Sequence, residues 1–329
     1  MRHPLQLAAA FFPLLALGAA GCDEVTPPDD AGRSAIDASE PDAARDGAPE
    51  DAGACDPEPD PLACEDLTPD PSCEARWTVA IRGRVTRLED GEGVEGARPQ
   101  LCARVSPDDR LVCLIPPSTD ADGRFTIVVP EEIRCLNRAA MRVVAPRRPL
   151  AALYCPFPLN GPETGDGVVV DLPAPFALTA TTPAEAPPRG DAAAPREVRF
   201  DGDVTLTLAP DALATLDGYE SLAGGPLPEE ARGCFADGRP LLGAYAFTPE
   251  GPLGSPAALS LPNDAGLAPG ATVDLFVLGG LETRLPDGTL VEEAELAAFG
   301  TATVSADGAR IVSDAASLPY LSTVAWQAR

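Results

Sequence analysis

The chain has 329 residues and sets 51 acidic side chains against 24 Arg, a net charge of −27, with no Lys at all. A phosphate backbone needs a basic face, so this balance excludes nucleic acid as a partner. The single histidine, His3, lies in a segment expected to be cleaved, and without His or Lys the mature protein has no Ser-His or Cys-His nucleophile, Schiff base, P-loop lysine or His-ligated zinc.

Residues 1–21 read as a secretory signal peptide. Arg2 and His3 precede an apolar run from Leu5 to Leu17, and Gly18-Ala19-Ala20-Gly21 closes it. The sequence Ala19-Ala20-Gly21-Cys22 resembles the lipobox of bacterial lipoproteins, and the resemblance implies that Cys22 is lipidated and becomes the new N-terminus. The expected partner is then a lipid bilayer reached through N-terminal acyl chains, and the expected location is the bacterial cell envelope, at the outer membrane or cell surface.

Residues 22–75 are rich in Asp, Pro and Ala, with 17 acidic residues between Asp23 and Ala75 against only Arg33 and Arg45. Such a stretch buries too little apolar surface to offset its chain entropy, so it reads as a disordered acidic tether. Of the nine cysteines, eight remain beyond Cys22: Cys55, Cys64, Cys73, Cys102, Cys113, Cys135, Cys155 and Cys234. An even set in an exported chain reads as a disulfide framework. Cys102 and Cys113 flank the turn signal Pro107-Asp108-Asp109 and are expected to face each other across a hairpin. Cys135 and Cys155 would bracket the strand around Met141. Cys55, Cys64 and Cys73 would form a knot at the end of the tether, one of them reaching Cys234. The spacings lack paired C-x-x-C, so no zinc site and no other cofactor is expected.

From Trp77 onward, alternating apolar and polar residues are broken by Asp-Gly pairs, nine in the chain. Asp-Gly supplies the positive φ angles of tight hairpins. Seven short strands are predicted between Trp77 and Leu172. The runs Ile81-Arg82-Gly83-Arg84-Val85, Val94-Glu95-Gly96-Ala97 and Ser118-Thr119-Asp120-Ala121-Asp122-Gly123-Arg124-Phe125-Thr126-Ile127 resemble the carboxypeptidase regulatory-like domain. That resemblance implies a transthyretin-like sandwich without catalytic residues. A calcium loop starting at Ser118 would need a carboxylate at Val129, so Asp122-Gly123 reads as a hairpin turn, with Phe125 and Ile127 facing the core.

Residues 176–195 read as a linker. Beyond it, Gly202 to Leu213, Gly243 to Gly251 and Pro256-Ala257-Ala258-Leu259-Ser260-Leu261-Pro262 resemble the β-sandwich module of ankyrins and netrin receptors. The predicted fold class is all-β: two antiparallel β-sandwich domains in tandem, residues 76–175 and 196–329, after a disordered acidic tether. The expected role is structural or binding, with polysaccharide or protein as ligand and no catalytic residue. The alternative is a carbohydrate-active hydrolase using a carboxylate pair in the C-terminal domain.

Overall fold

Regular structure begins where the sequence changes from Asp, Pro and Ala to β-branched and apolar residues. The computed structural model describes residues 60–159, 164–165, 167–185, 194–213, 219–280 and 282–329; the expected signal peptide, Cys22 and Cys55 lie outside them. The described chain is all-β apart from short helical turns.

The first half contains β1 (Arg76–Trp77), β2 (Ala80–Arg87), β3 (Arg98–Val105), β4 (Arg110–Cys113), β5 (Arg124–Val128), β6 (Cys135–Val144), β7 (Leu153–Phe157), β8 (Val169–Asp171) and β9 (Phe176–Leu178). One sheet runs β1-β6-β3-β4 with β7 also on β6, and the facing sheet runs β5-β2-β8 with β9 also on β2. Strand β5 shows the expected alternation, with Phe125 and Ile127 buried between exposed or half-buried neighbours. Burying each such side chain is worth roughly 1.5–3 kcal/mol. At the turn before it, Asp120 Oδ1 accepts the backbone N–H groups of Asp122 and Arg124 at 2.9 and 2.8 Å. Gly123 sits at φ +77°, and a Cβ there would lie 2.0 Å from the Val85 carbonyl oxygen, so the position requires glycine.

One pairing departs from the wholly antiparallel expectation. Both β8 and β9 run parallel to β2. The chain reaches them from β7 in the opposite sheet, and a connection that crosses between sheets does not impose the reversal that a hairpin does.

The second half contains β10 (Thr182–Pro183), β11 (Arg196–Arg199), β12 (Thr205–Leu208), β13 (Ala223–Pro226), the one-turn helix α1 (Glu229–Arg232), β14 (Gly243–Pro262), β15 (Thr272–Leu278), β16 (Leu296–Val304), β17 (Arg310–Ser313) and β18 (Leu318–Ala328). All nine strands belong to one sheet, which closes on itself through the pairings β14–β17, β17–β16, β16–β15, β15–β18 and β18–β14. Strand β14 makes this possible. Register shifts between Ala246 and Gly251 and between Pro252 and Ala257 bend it, so its first part lies along β13 and β18 and its last part along β12 and β17. A strand that changes partners through bulges is how two sheet layers join at a corner. Pro249-Glu250-Gly251 thus lies in a bulge within one long strand. Tyr245, Phe247, Leu259, Leu275, Val277 and Val324 fill the space between the layers.

The two halves share a core. Residues 101–103 of β3 and 153–155 of β7 are buried in succession, because their sheet is covered on both faces. One face packs on β2 and β5. Ala231, Phe235, Ala244, Phe276, Leu278 and Ala294 of the second half belong to the same continuous cluster.

Two boundaries shift from the sequence expectation. Residues 60–75, assigned to the disordered tether, are docked on the first sandwich. Leu62 is buried, Arg134 of the first sandwich pairs with Glu65, and Cys73 is bonded to Cys135. Local acidity hid one apolar anchor and a cysteine that hold this segment. Residues 176–185, assigned to the linker, instead carry β9, which pairs with β2, and β10, which pairs with β13. The remaining Pro- and Ala-rich part, residues 186–193, lies outside the described residues.

Candidate functional site: the cleft between the two sandwiches

The cysteine framework holds the junction. Cys102 and Cys113 are direct register partners on β3 and β4 and are bonded, as the hairpin reading expects. Two expected pairings are corrected. Cys135 is bonded to Cys73 rather than Cys155, because Cys155 lies opposite Met141 in the β6–β7 register, six residues and about 20 Å along β6 from Cys135. Cys234, expected to meet the cysteines of the tether, is bonded to Cys155 and joins the two sandwiches. Cys64 is also disulfide-bonded.

Around this bond the junction is polar on one side and closely hydrogen-bonded. Tyr154, buried on β7, donates its hydroxyl to Glu250 Oε2 at 2.7 Å, and Arg142 on β6 donates to the Tyr154 hydroxyl at 2.7 Å and to Glu250 at 3.0 Å. Burial, followed by the Glu250 charge, pushes the Tyr154 phenol well above its ordinary value, so it stays a donor at any physiological pH.

On the other side lies a cleft of about 590 Å³. Its floor includes Phe157, Leu159, Phe235 and Ala294, and its charged walls come from both halves. Strands β3 and β6 supply Arg104 and Arg138. The segment Val291–Glu295, leading into β16, supplies Glu292, Glu293 and Glu295, and the loop after α1 supplies Asp237 and Arg239.

The acidic segment is placed by backbone. The Ala294 N–H donates to the Gly279 carbonyl at 2.9 Å, and the Gly279 N–H donates to the Glu295 carbonyl at 2.8 Å. Gly279 allows this approach, since a Cβ there would lie 1.9 Å from the Glu292 carbonyl oxygen. Ala294 is buried at φ +61°, a conformation that costs a non-glycine residue energy and persists only where the surroundings enforce it. Held in this way, the segment sends three glutamates into the cleft.

Their environments differ. Glu292 takes both oxygens to Arg104, at 2.8 and 2.6 Å, and Glu295 pairs with Arg138. Glu293 is half-buried, and among the described residues its carboxyl meets no side-chain partner, only its own backbone N–H. Burial, then the charge of Glu292, holds that carboxyl above the usual range. Asp237 likewise has no side-chain partner among the described residues, and the Arg239 guanidinium rests only on the Phe276 ring, 5.2 Å from its centroid.

None of these cleft residues is among the candidates that spacing and motif single out. The Arg104–Glu292 contact spans 188 residues, which no local pattern encodes. The one visible signal is an arginine inside the apolar run Leu101-Cys102-Ala103-Arg104-Val105. Asp120 and Asp122 serve the β5 hairpin turn. Among the described residues no group of three or more His, Cys, Asp or Glu side chains is placed to hold a metal ion, and no helix is long and apolar enough to cross a membrane.

No protein-family model and no curated protein matches the chain. Among solved structures, the full-length major pilin SpaD from Corynebacterium diphtheriae aligns at 10% identity over 80% of this chain, with a TM-score of 0.22. The aligned part spans 58% of the pilin. A likeness of this size carries no argument about fold or role.

Proposed function

We propose that the protein is a non-catalytic, lipid-anchored component of a bacterial cell envelope that presents two joined β-sandwiches to a polysaccharide or protein. In this reading acyl chains on Cys22 hold it to the bilayer, the acidic leader spaces it from the surface, and the first sandwich is a carboxypeptidase regulatory-like module. The observation that supports it best is the Cys155–Cys234 bond across the junction, which requires an oxidising compartment and makes the displayed body rigid. The test is intact mass spectrometry of the native protein from fractionated cells. Recovery from the membrane fraction as a chain beginning at an acylated Cys22, with the other cysteines oxidised, is the expected result; an unacylated, reduced chain in the cytosol overturns it.

A second reading, a carbohydrate-active hydrolase, is favoured by one observation. Glu293 is a half-buried carboxyl held toward its protonated form, and its neighbour Glu292 is ion-paired with Arg104; two adjacent carboxyls in such different environments suit an acid and its partner. Turnover of a neutral glycan that disappears in Glu293→Gln would establish it. Unchanged turnover in that variant, or none in the native protein, would reject it.

A further inference from the structure

The junction cleft contains more hydrogen-bonding capacity than the protein uses. Its walls are fixed: Arg104 is committed to Glu292, and Arg138 to Glu295. Three groups have no side-chain hydrogen-bond or ion-pair partner among the described residues. Arg239 can donate through several N–H groups, Asp237 can accept, and Glu293 can donate or accept according to its protonation. Asn137 lines the same space and spends one amide N–H on Asp109 at 3.1 Å, leaving its carbonyl oxygen.

The volume lies within the roughly 300–1,000 Å³ of small-molecule sites, and such sites favour the meeting of two domains. Donors and acceptors are interspersed instead of being separated into one positive and one negative pole, which suits many neutral hydroxyls better than a zwitterion. The apolar floor suits the C–H faces of sugar rings. The Asp237 and Glu293 carboxyls, in a chain of net charge −27, repel anionic sugars.

We infer that this cleft binds a neutral, hydroxyl-rich glycan, contacted by Arg239, Asp237 and Glu293 between walls set by the Arg104–Glu292 and Arg138–Glu295 pairs. The inference rests on the reading of the protein as a presenter of polysaccharide-contacting surface, and it gives that reading a place and a ligand class.

The test is titration calorimetry of the mature protein with cellotetraose, maltotetraose, mannotetraose and xylotetraose, and with tetragalacturonate as the anionic counterpart. Saturable binding of at least one neutral tetrasaccharide is expected, with tetragalacturonate at least about tenfold weaker. Arg239→Ala and Asp237→Asn are each expected to weaken binding at least about tenfold, the loss of one hydrogen bond to a charged group, with the native fold and a cooperative melting transition retained. Arg148→Ala, outside the cleft, should bind as the native protein does. Absence of saturation by every neutral sugar, equal binding of tetragalacturonate, or native affinity in both cleft variants would overturn the inference. Finding the protein unacylated in the cytosol would remove the anchoring reading and leave these titrations standing.

Discussion

Arg104 on β3 and Arg138 on β6 are register partners, so two guanidinium groups occupy directly opposite positions across one strand pair. Like charges at such positions destabilise a sheet unless something offsets them. Here Glu292 and Glu295, from the same acidic segment of the second sandwich, each meet one of the arginines. The first sandwich alone would carry an unfavourable pair, and the second sandwich relieves it. The two pairs should not count equally. Arg104 and Glu292 are mostly shielded, with Nη2 reaching both carboxylate oxygens, whereas Arg138 and Glu295 are half exposed. A double-mutant cycle on Arg104 and Glu292 is expected to give a coupling of about 1–2 kcal/mol in urea unfolding, and the Arg138–Glu295 cycle less than about 0.5 kcal/mol.

The disulfide between Cys155 and Cys234 closes a separation of 79 residues, and that between Cys102 and Cys113 one of 11. Loop-closure entropy grows with the logarithm of loop length, so the longer bond should stabilise more. Replacing both Cys155 and Cys234 by Ala is expected to cost about 4–5 kcal/mol in denaturant unfolding, and the same change at Cys102 and Cys113 about 1.7 kcal/mol less. Equal costs would show that the bond across the junction constrains little.

Much of this fold is legible in the sequence because it is local. The Asp-Gly pairs at 90–91, 122–123, 237–238, 287–288 and 307–308 all place their glycine at positive φ. Cys102 and Cys113 lie on one hairpin, and their pairing follows from its turn. Strand β15 is absent from the sequence reading because residues 275–278 are buried in succession, which erases the period-two signal. The junction is illegible for a related reason. Cys155 and Cys234, or Arg104 and Glu292, are brought together by topology, and no spacing along the chain records which surface of a sheet another sheet will cover.

Gly279 backs the acidic segment so closely that a side chain cannot be accommodated. Gly279→Ala is expected to displace the Glu292 carbonyl, cost more than about 2 kcal/mol in unfolding, and weaken any ligand of the cleft. Gly266→Ala, a substitution at positive φ with open space around it, should cost about 1 kcal/mol and leave the cleft intact. Similar unfolding costs for the two variants would contradict the close approach.

The half-buried Glu293 makes stability depend on pH. Its folded value is raised, so the protonated acid is favoured in the folded state. The associated stability is present in full below the ordinary carboxylate value, about 4, and is lost as pH rises through the raised value. Glu293→Gln stays neutral throughout. Its Tm is expected to match the native protein near pH 4 and to exceed it at pH 7. A native Tm equal to or above that of the variant at pH 7 would contradict this.

The buried Tyr154 hydroxyl links Arg142 and Glu250 across the junction. Tyr154→Phe removes one donor and leaves Glu250 with Arg142, so a loss of about 1–2 kcal/mol is expected in urea unfolding. A loss confined to a few tenths would show that the hydroxyl does not couple the two halves.

That the two sandwiches behave as one body is tested most directly by scanning calorimetry of the oxidised protein. A single heat-capacity peak with equal calorimetric and van't Hoff enthalpies is expected, since the shared core, the Cys155–Cys234 bond and the Arg104–Glu292 pair leave neither half a complete folding unit. Two resolved peaks, each assignable to one sandwich, would contradict it.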